Sequence, residues 1–217
     1  MNWRQAAVDF LFPPKCPFCR RVTEGARVCP RCGKVLPWTE GKDREQTLAG
    51  GLRCVSPLWY EDLARDGILR FKFHGGAGAE TLGSLLADCA AERCSGEFDL
   101  VTWVPVSRRR RRKRGYDQAA LLCRALGARL GLEPVQTLRK IKDPPAQSTL
   151  AGAEQRRANV SGAYRAEQPE RFAGKRVLII DDIVTTGATL AECSRTLLQA
   201  GASDVVYAAF AAPRKQD

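Results

Sequence analysis

Residues 176–189 read RVLIIDDIVTTGAT, and this stretch decides the fold. Its run of leucine and β-branched residues predicts a strand of a parallel sheet that is covered on both faces. Two aspartates, Asp181 and Asp182, close the strand, and a threonine-rich loop with Gly187 leads into a helix start. Because open α/β sheets bind ligands at the carboxyl ends of their strands, we expect a ligand site at this loop.

The residue types of the loop suit a sugar phosphate. The threonine hydroxyls donate hydrogen bonds, glycine lets the backbone approach a phosphate, and the helix N-terminus offers free N–H groups. The two carboxylates repel phosphate, but they accept hydrogen bonds from a diol or bind a bridging Mg²⁺. A diol beside a phosphate is a phosphoribosyl group. The residues predicted to bind it are Asp181, Asp182, Thr185, Thr186, Gly187, Ala188 and Thr189.

The same stretch resembles the signature for 5-phosphoribosyl-1-pyrophosphate (PRPP) in type I phosphoribosyltransferases. The resemblance implies that the two acids hold the ribose hydroxyls and that the loop cradles the 5-phosphate. Hypoxanthine-type relatives carry an aspartate, which serves the purine ring, where this chain has Thr185. This departure argues against a salvage enzyme for 6-oxopurines.

Length and composition fit a globular protein. A chain of 217 residues, 44% hydrophobic and 27% charged, suits one α/β domain with a small appendage. No apolar run approaches the roughly 20 residues that span a bilayer. Residues 1–12 read as a short amphipathic helix rather than a signal peptide. We therefore expect no membrane insertion and a cytoplasmic location, where the nine cysteines stay reduced.

The net charge of +11 is concentrated in three segments. They are residues 1–57, the seven consecutive basic residues 108–114, and residues 139–157. Each segment is a candidate for contact with an anionic partner.

The N-terminal part contains two Cys-x-x-Cys pairs with nine residues between them. Four thiolates at this spacing surround one metal ion tetrahedrally, and soft sulfur ligands select Zn²⁺. A redox-active pair is the alternative, but the duplicated spacing favours structural zinc. Cys54 is the least certain of the other cysteines, because it either packs in the core or touches the metal site. The predicted ligands are Cys16, Cys19, Cys29 and Cys32.

The domain boundary is predicted from residues 37–52, which are polar and contain several glycines. Such a composition is typical of a linker, and we expect it to be mobile. The N-terminal helix, the cysteine module and the linker therefore occupy residues 1–50, and the α/β domain occupies residues 51–217.

A second ligand-binding topology is predicted around the basic run. A strand at residues 100–106 leads into residues 108–114, interpreted as a basic loop, and a helix follows to about Leu130. Cations at the end of a strand suit pyrophosphate. A solvated loop and contact with a nucleic-acid backbone are the alternatives. The pyrophosphate candidates are Arg108, Arg109 and Arg114.

Residues 143–164 form a long polar segment with two adjacent prolines, which predicts a lid over the site. The lid candidates are Gln147, Arg157 and Asn159.

Together these blocks resemble the ComF/GntX family over nearly the whole chain. Besides the cysteine pairs and the PRPP signature, the resemblance rests on residues 104–106, 114–118, 147–150 and 156–159. Family members usually have Phe-Asn where this chain has Tyr116-Asp117. The resemblance implies a type I phosphoribosyltransferase fold behind a zinc finger. It also implies a link to bacterial competence, with single-stranded DNA and competence-machinery proteins as partners.

Three functions remain open from the sequence. The first is a PRPP-binding, Mg²⁺-dependent phosphoribosyltransferase-like protein whose acceptor the sequence does not show. The second is a non-catalytic accessory that binds single-stranded DNA and keeps PRPP as a ligand, with Trp3, Phe18 and Trp38 available for base stacking. The third is a nucleobase salvage enzyme, which ranks last because no residue for base recognition is visible.

Overall fold

The computed structural model describes residues 13–23, 25–48, 51–73, 76, 78–142 and 160–214. The predicted N-terminal helix at residues 1–12 lies outside the described residues. The lid candidates Gln147, Arg157 and Asn159 also lie outside them.

The centre of the protein is a mixed sheet of six strands. The strands are β1 (Glu45–Thr47), β2 (Arg53–Val55), β3 (Leu58–Trp59), β4 (Leu100–Trp103), β7 (Arg176–Ile183) and β8 (Asp204–Ala212), in the order β1-β2-β8-β7-β4, with β3 also beside β8. All pairs are parallel except that of β1 with β2. The strand predicted at the start of residues 176–189 is therefore β7, an inner strand with a parallel neighbour on each side. A separate hairpin pairs β5 (Leu138–Lys140) with β6 (Tyr164–Ala166) in antiparallel fashion.

Helices cover both faces of the sheet, as the apolar run of β7 predicts. One face carries α2 (Asp62–Phe73), α3 (Ala79–Cys94) and α5 (Gln118–Leu130), and their apolar residues form one core cluster with Leu178 and Ile180 of β7. The other face carries α6 (Ala188–Gln199) and the β5–β6 hairpin, which pack on Val177 and Ile179. The side chains of β7 thus alternate between two cores. Among the described residues, no helix is long and apolar enough to cross a membrane.

The prediction that residues 37–52 form a mobile linker is wrong for residues 37–48, because most of them form regular structure or hydrogen bonds with the α/β domain. Residues Gly41–Arg44 form a 3₁₀ turn, and β1 follows and pairs with β2 at the edge of the main sheet. The Thr39 N–H donates to the Pro57 carbonyl, and Trp38 pairs with Leu58 as an isolated bridge. These contacts join residues distant in the chain, and composition does not show them.

The basic loop predicted at residues 108–114 is also wrong, because these residues form helix α4 (Arg108–Arg114). Arginine and lysine are good helix formers. The Ser107 hydroxyl accepts a hydrogen bond from the Arg110 N–H at the start, and Gly115 ends the helix in a left-handed conformation with φ +82°. Both capping residues favour the helix in spite of the repulsion between neighbouring cations, most of which are exposed.

Candidate functional site

The two adjacent carboxylates lie at the carboxyl end of β7 but on opposite faces of the sheet. Asp181 pairs in register with Ala209 of β8, so both acids still belong to the strand. Strand alternation directs Asp182 towards the face of α2 and Asp181 towards the face of α6. Asp182 is buried, with only 5% of its surface exposed. The pair therefore offers one carboxylate to each side of the strand end rather than a single two-pronged group.

Lys72 is a site residue that the sequence interpretation did not assign. It lies in the last turn of α2, and its Nζ is 3.0 Å from Asp182 Oδ2, with both side chains largely buried. The two groups form an ion pair, but Asp182 Oδ2 accepts no hydrogen bond from the described residues. The Tyr116 hydroxyl donates to the Phe71 carbonyl at 2.6 Å and fixes the same turn. Helix α2 thereby carries a cation to the acid pair.

Asp181 lies in surroundings that disfavour its charge. Burial, followed by repulsion from Asp182, raises the pKa of the Asp181 carboxyl well above its usual value. The backbone N–H of Asp182 donates to Asp181 Oδ1 at 2.8 Å and offsets this only in part. One lysine serves two acids, because Lys72 pairs with Asp182 while Asp181 lies on the other face of the strand. Each carboxylate offers oxygen ligands of the kind that a hard divalent cation such as Mg²⁺ prefers, so the chemistry of these groups fits the predicted metal.

The loop after β7 has the geometry expected of a phosphate cradle. Gly187 has φ +76°, a conformation that favours glycine, and it directly precedes α6. A Cβ at this position would lie 3.1 Å from Leu48, so the Leu48 side chain packs closely against the loop. Ala188 and Thr189 open the helix, Thr185 is exposed, and the Thr186 hydroxyl accepts from the Ala188 N–H at 3.5 Å. The predicted loop residues are therefore together at one helix N-terminus.

The three pyrophosphate candidates do not share one direction. Arg108 lines a surface cavity beside the end of β4. The guanidinium of Arg114 lies over the Phe73 ring, 5.3 Å from its centroid, beside the turn that holds Lys72. Arg109 has partners within the fold. A role in pyrophosphate binding stays a prediction for all three.

The cysteine quartet is assembled as predicted. The four Sγ atoms lie within 4.8 Å of one another, close to the roughly 3.8 Å between sulfurs around tetrahedral zinc. Pro30 opens the short helix α1 (Pro30–Val35), and the Cys32 N–H donates to Cys29 Sγ. This hydrogen bond is the main cause that lowers the pKa of Cys29 to about 7, which favours the thiolate. The four thiols fit a structural zinc ion.

Two residues predicted near these sites are placed elsewhere. Cys54 lies in β2 opposite Tyr207, in the core cluster on the α6 face, so it does not join the metal ligands. Phe18, proposed for base stacking, is fully buried, and its ring stacks on Phe210 at 6.4 Å between centroids. The prediction that Phe18 stacks on a nucleobase is therefore wrong, because its buried ring joins the cysteine module to the sheet. Trp38 donates its indole N–H to the Gly33 carbonyl, and Trp3 lies outside the described residues.

The position of the acid pair defines the class of protein. Acids at the end of an inner parallel strand, with a glycine loop and helix behind them, belong to a phosphoribosyltransferase-type fold, and here it carries an N-terminal zinc ribbon.

Comparison with known proteins gives the family. Residues 113–217 match the phosphoribosyl transferase domain, and residues 7–42 match the double zinc ribbon domain. The DNA utilization protein YhgH of Salmonella typhimurium strain LT2 is 38% identical over 207 residues, covering 88% of this chain and 86% of the relative. Competence protein ComFC of Bacillus subtilis strain 168 is 29% identical over 190 residues, with coverages of 86% and 72%. The chain belongs to the ComF family of DNA utilization and competence proteins.

One match among solved structures is an adenine phosphoribosyltransferase from Thermoanaerobacter pseudethanolicus. It is 19% identical to this chain, with 78% of this chain and 94% of that chain aligned at a TM-score of 0.41.

Proposed function

We propose that the chain binds PRPP together with Mg²⁺ at the end of β7. The observation that carries the proposal is the acid pair with its charge deficit, immediately followed by the Gly187 loop and the α6 N-terminus. The carboxylates would hold the ribose diol and the cation, and the loop N–H groups would hold the 5-phosphate. The names of the relatives support a further role in DNA uptake or processing during natural competence.

Phosphoribosyl transfer breaks the bond between ribose C1 and pyrophosphate and forms a bond from C1 to an acceptor. Bound Mg²⁺ would supply charge neutralisation for the leaving group. The contribution of the chain is to position the ribose, to stabilise the developing charge and to exclude water. Lys72, which pairs with Asp182 in the free protein, would neutralise an anionic ligand once the ribose occupies the carboxylates.

Isothermal titration with PRPP and Mg²⁺ tests the proposal. We expect heat from the wild-type protein and its loss in Asp181→Asn and in Asp182→Asn, because each amide carries one charge less towards the cation. Thr196→Ser, on the buried side of α6 and remote from the loop, serves as a control that keeps binding. No heat from the wild type, or binding as tight as that of the wild type in both amide variants, contradicts PRPP binding.

Helix α4 supports a second candidate function, a non-catalytic accessory that binds single-stranded DNA. Its seven residues are all basic, and most are exposed. Phosphate contacts by such a surface release counterions, so affinity falls as salt concentration rises. In this case PRPP is a ligand of the protein rather than a substrate.

Binding of single-stranded DNA against salt concentration tests the second candidate. We expect a steep loss of affinity with salt, and a smaller slope in Arg112→Ala/Lys113→Ala, because about one counterion per removed phosphate contact is no longer released. An equal double substitution outside α4, Arg65→Ala/Arg70→Ala, controls for net charge. Binding that ignores salt, or none at low salt, excludes this function.

A further inference from the structure

A basic cavity lies beside the edge strand β4, apart from the acid pair. It has a volume of about 420 Å³ and opens between the end of β4, the corner where α4 meets α5, and β5. None of the residues from Asp181 to Thr189 lines it. The volume falls in the range of cavities that bind small molecules. The cavity is therefore a candidate site that neither the PRPP signature nor the cysteine module accounts for.

The charge of this cavity is positive and poorly neutralised. Arg108, Arg111 and Arg124 line it, and within the described part of the chain no carboxylate forms an ion pair with them. Arg139 also contributes, but it is paired with Glu167. Three exposed arginines in the lining of one cavity favour an anion with several oxygen atoms, since each guanidinium group can donate two parallel hydrogen bonds.

Among the described residues of the lining, Asp117 is the only acid, and the backbone engages both of its oxygens. Asp117 is the N-cap of α5, and its Oδ1 accepts from the Ala120 N–H. Its Oδ2 accepts from the Val106 N–H at 3.0 Å. Both oxygens are thus engaged by the backbone and hold the corner between β4 and α5 in shape. Asp117 therefore has a structural role at this corner, and its carboxylate attracts Arg111 without forming an ion pair with it.

The cavity also has an aromatic component. Trp103 at the end of β4 and Tyr116 at the helix corner both line it. Aromatic side chains stack on nucleobases, whereas a site for a simple inorganic anion needs none. Cations and aromatic rings in one cavity of this size suit a base linked to a phosphate.

We propose that this cavity binds a nucleotide, with its phosphate on Arg108, Arg111 and Arg124 and its base against the Trp103 side. The nucleotide is either free or one unit of a single-stranded oligonucleotide, because both present the same base and phosphate. The acid pair and the Gly187 loop do not line this cavity, and of the three pyrophosphate candidates only Arg108 does, so the proposal does not rest on the proposed binding of PRPP.

Titration of the full-length, zinc-loaded protein tests the proposal with three probes: adenosine 5′-monophosphate, oligothymidylate and inorganic pyrophosphate. We expect Arg111→Ala to weaken nucleotide binding by about tenfold or more, because it removes a charge-assisted contact. Arg65→Ala removes an equal charge from the exposed side of α2 without lining the cavity, and it should bind like the wild type. Asp182→Asn, which is expected to lose PRPP, should also keep nucleotide binding.

The probes separate the two sources. Tight binding of the mononucleotide that Arg111→Ala weakens identifies a free nucleotide, and binding of oligothymidylate alone with the same sensitivity identifies a strand. Equal losses in Arg111→Ala and Arg65→Ala would overturn the proposal, because the effect would then be net charge. Pyrophosphate binding as tight as that of the nucleotide, loss of nucleotide binding in Asp182→Asn, or no binding of any probe would overturn it as well.

Discussion

At the scale of single residues, the contact that matters most is the ion pair between Lys72 and Asp182. Both partners are largely buried, and the pair joins the last turn of α2 to the end of β7. A buried pair contributes little net stability compared with an apolar pair, but removal of one partner leaves an uncompensated charge. Lys72 therefore neutralises Asp182 in the free protein, and under the proposed function it would have a second role beside an anionic ligand.

Substitution Lys72→Met tests the first of these roles. We expect a loss of about 3 kcal/mol in the free energy of unfolding, because Asp182 is left buried without a cation. The double variant Lys72→Met/Asp182→Asn should recover part of that loss, since it removes the orphaned charge. Urea denaturation measures all three proteins, and Lys175→Met, an exposed lysine, should change stability by less than about 0.5 kcal/mol. Equal stability of Lys72→Met and wild type contradicts the buried pair.

At the scale of elements, packing of the cysteine module on α2 depends on one small residue. The Phe18 ring occupies the space beside Gly67, and a Cβ on Gly67 would lie 2.6 Å from Phe18 Cδ1. Phe18 is fully buried and also stacked on Phe210, so its ring has no free space into which it can move. Glycine within a helix costs stability relative to alanine, and here close packing is the compensation.

Gly67→Ala is therefore expected to destabilise the protein by about 1–3 kcal/mol through overpacking, in spite of its better helix propensity. Gly33→Ala is the matched control, because it is also a helical glycine and its Cβ would meet no atom within 4 Å. Thermal unfolding of both variants gives the comparison. If Gly67→Ala unfolds at the wild-type temperature or above it, Phe18 does not lock the module to α2.

The elements also show what the sequence could and could not predict. The strand, acid pair and loop of β7 are contiguous, and apolar residues and glycine mark them locally, so both fold class and site position were predictable. Helices α2, α3, α5 and α6 are also marked locally, because their apolar residues recur at helical spacing. Lys72 was missed because its partner lies far along the chain and a lone lysine carries no local signal. The capping residues Ser107 and Gly115 did signal helix α4, but the run of cations between them was interpreted as a loop.

At the scale of the whole molecule, the cysteine module and the sheet share one core. Three of the four cysteines and Leu36 belong to the same apolar cluster as α2, α3 and α5. An ion network adds to this contact, because Asp88 of α3 pairs with Arg27 of the module and with Arg129 of α5. The proposed boundary at residue 50 therefore separates two sequence regions that the structure packs together, with β1 of the first region forming the edge of the sheet.

Removal of zinc is accordingly expected to weaken the whole protein rather than the module alone. Without the ion, the four cysteines no longer hold Phe18 against Gly67 and Phe210. The face of α2 around Gly67 then becomes exposed to solvent. We expect chelation, or Cys32→Ser, to lower the melting temperature in one cooperative transition. Cys89→Ala, a buried cysteine outside the quartet, should keep one zinc per chain. After chelation, the main unfolding transition could instead stay at its original temperature, with only a small step added at lower temperature. That result would show that the sheet folds independently of the zinc ribbon.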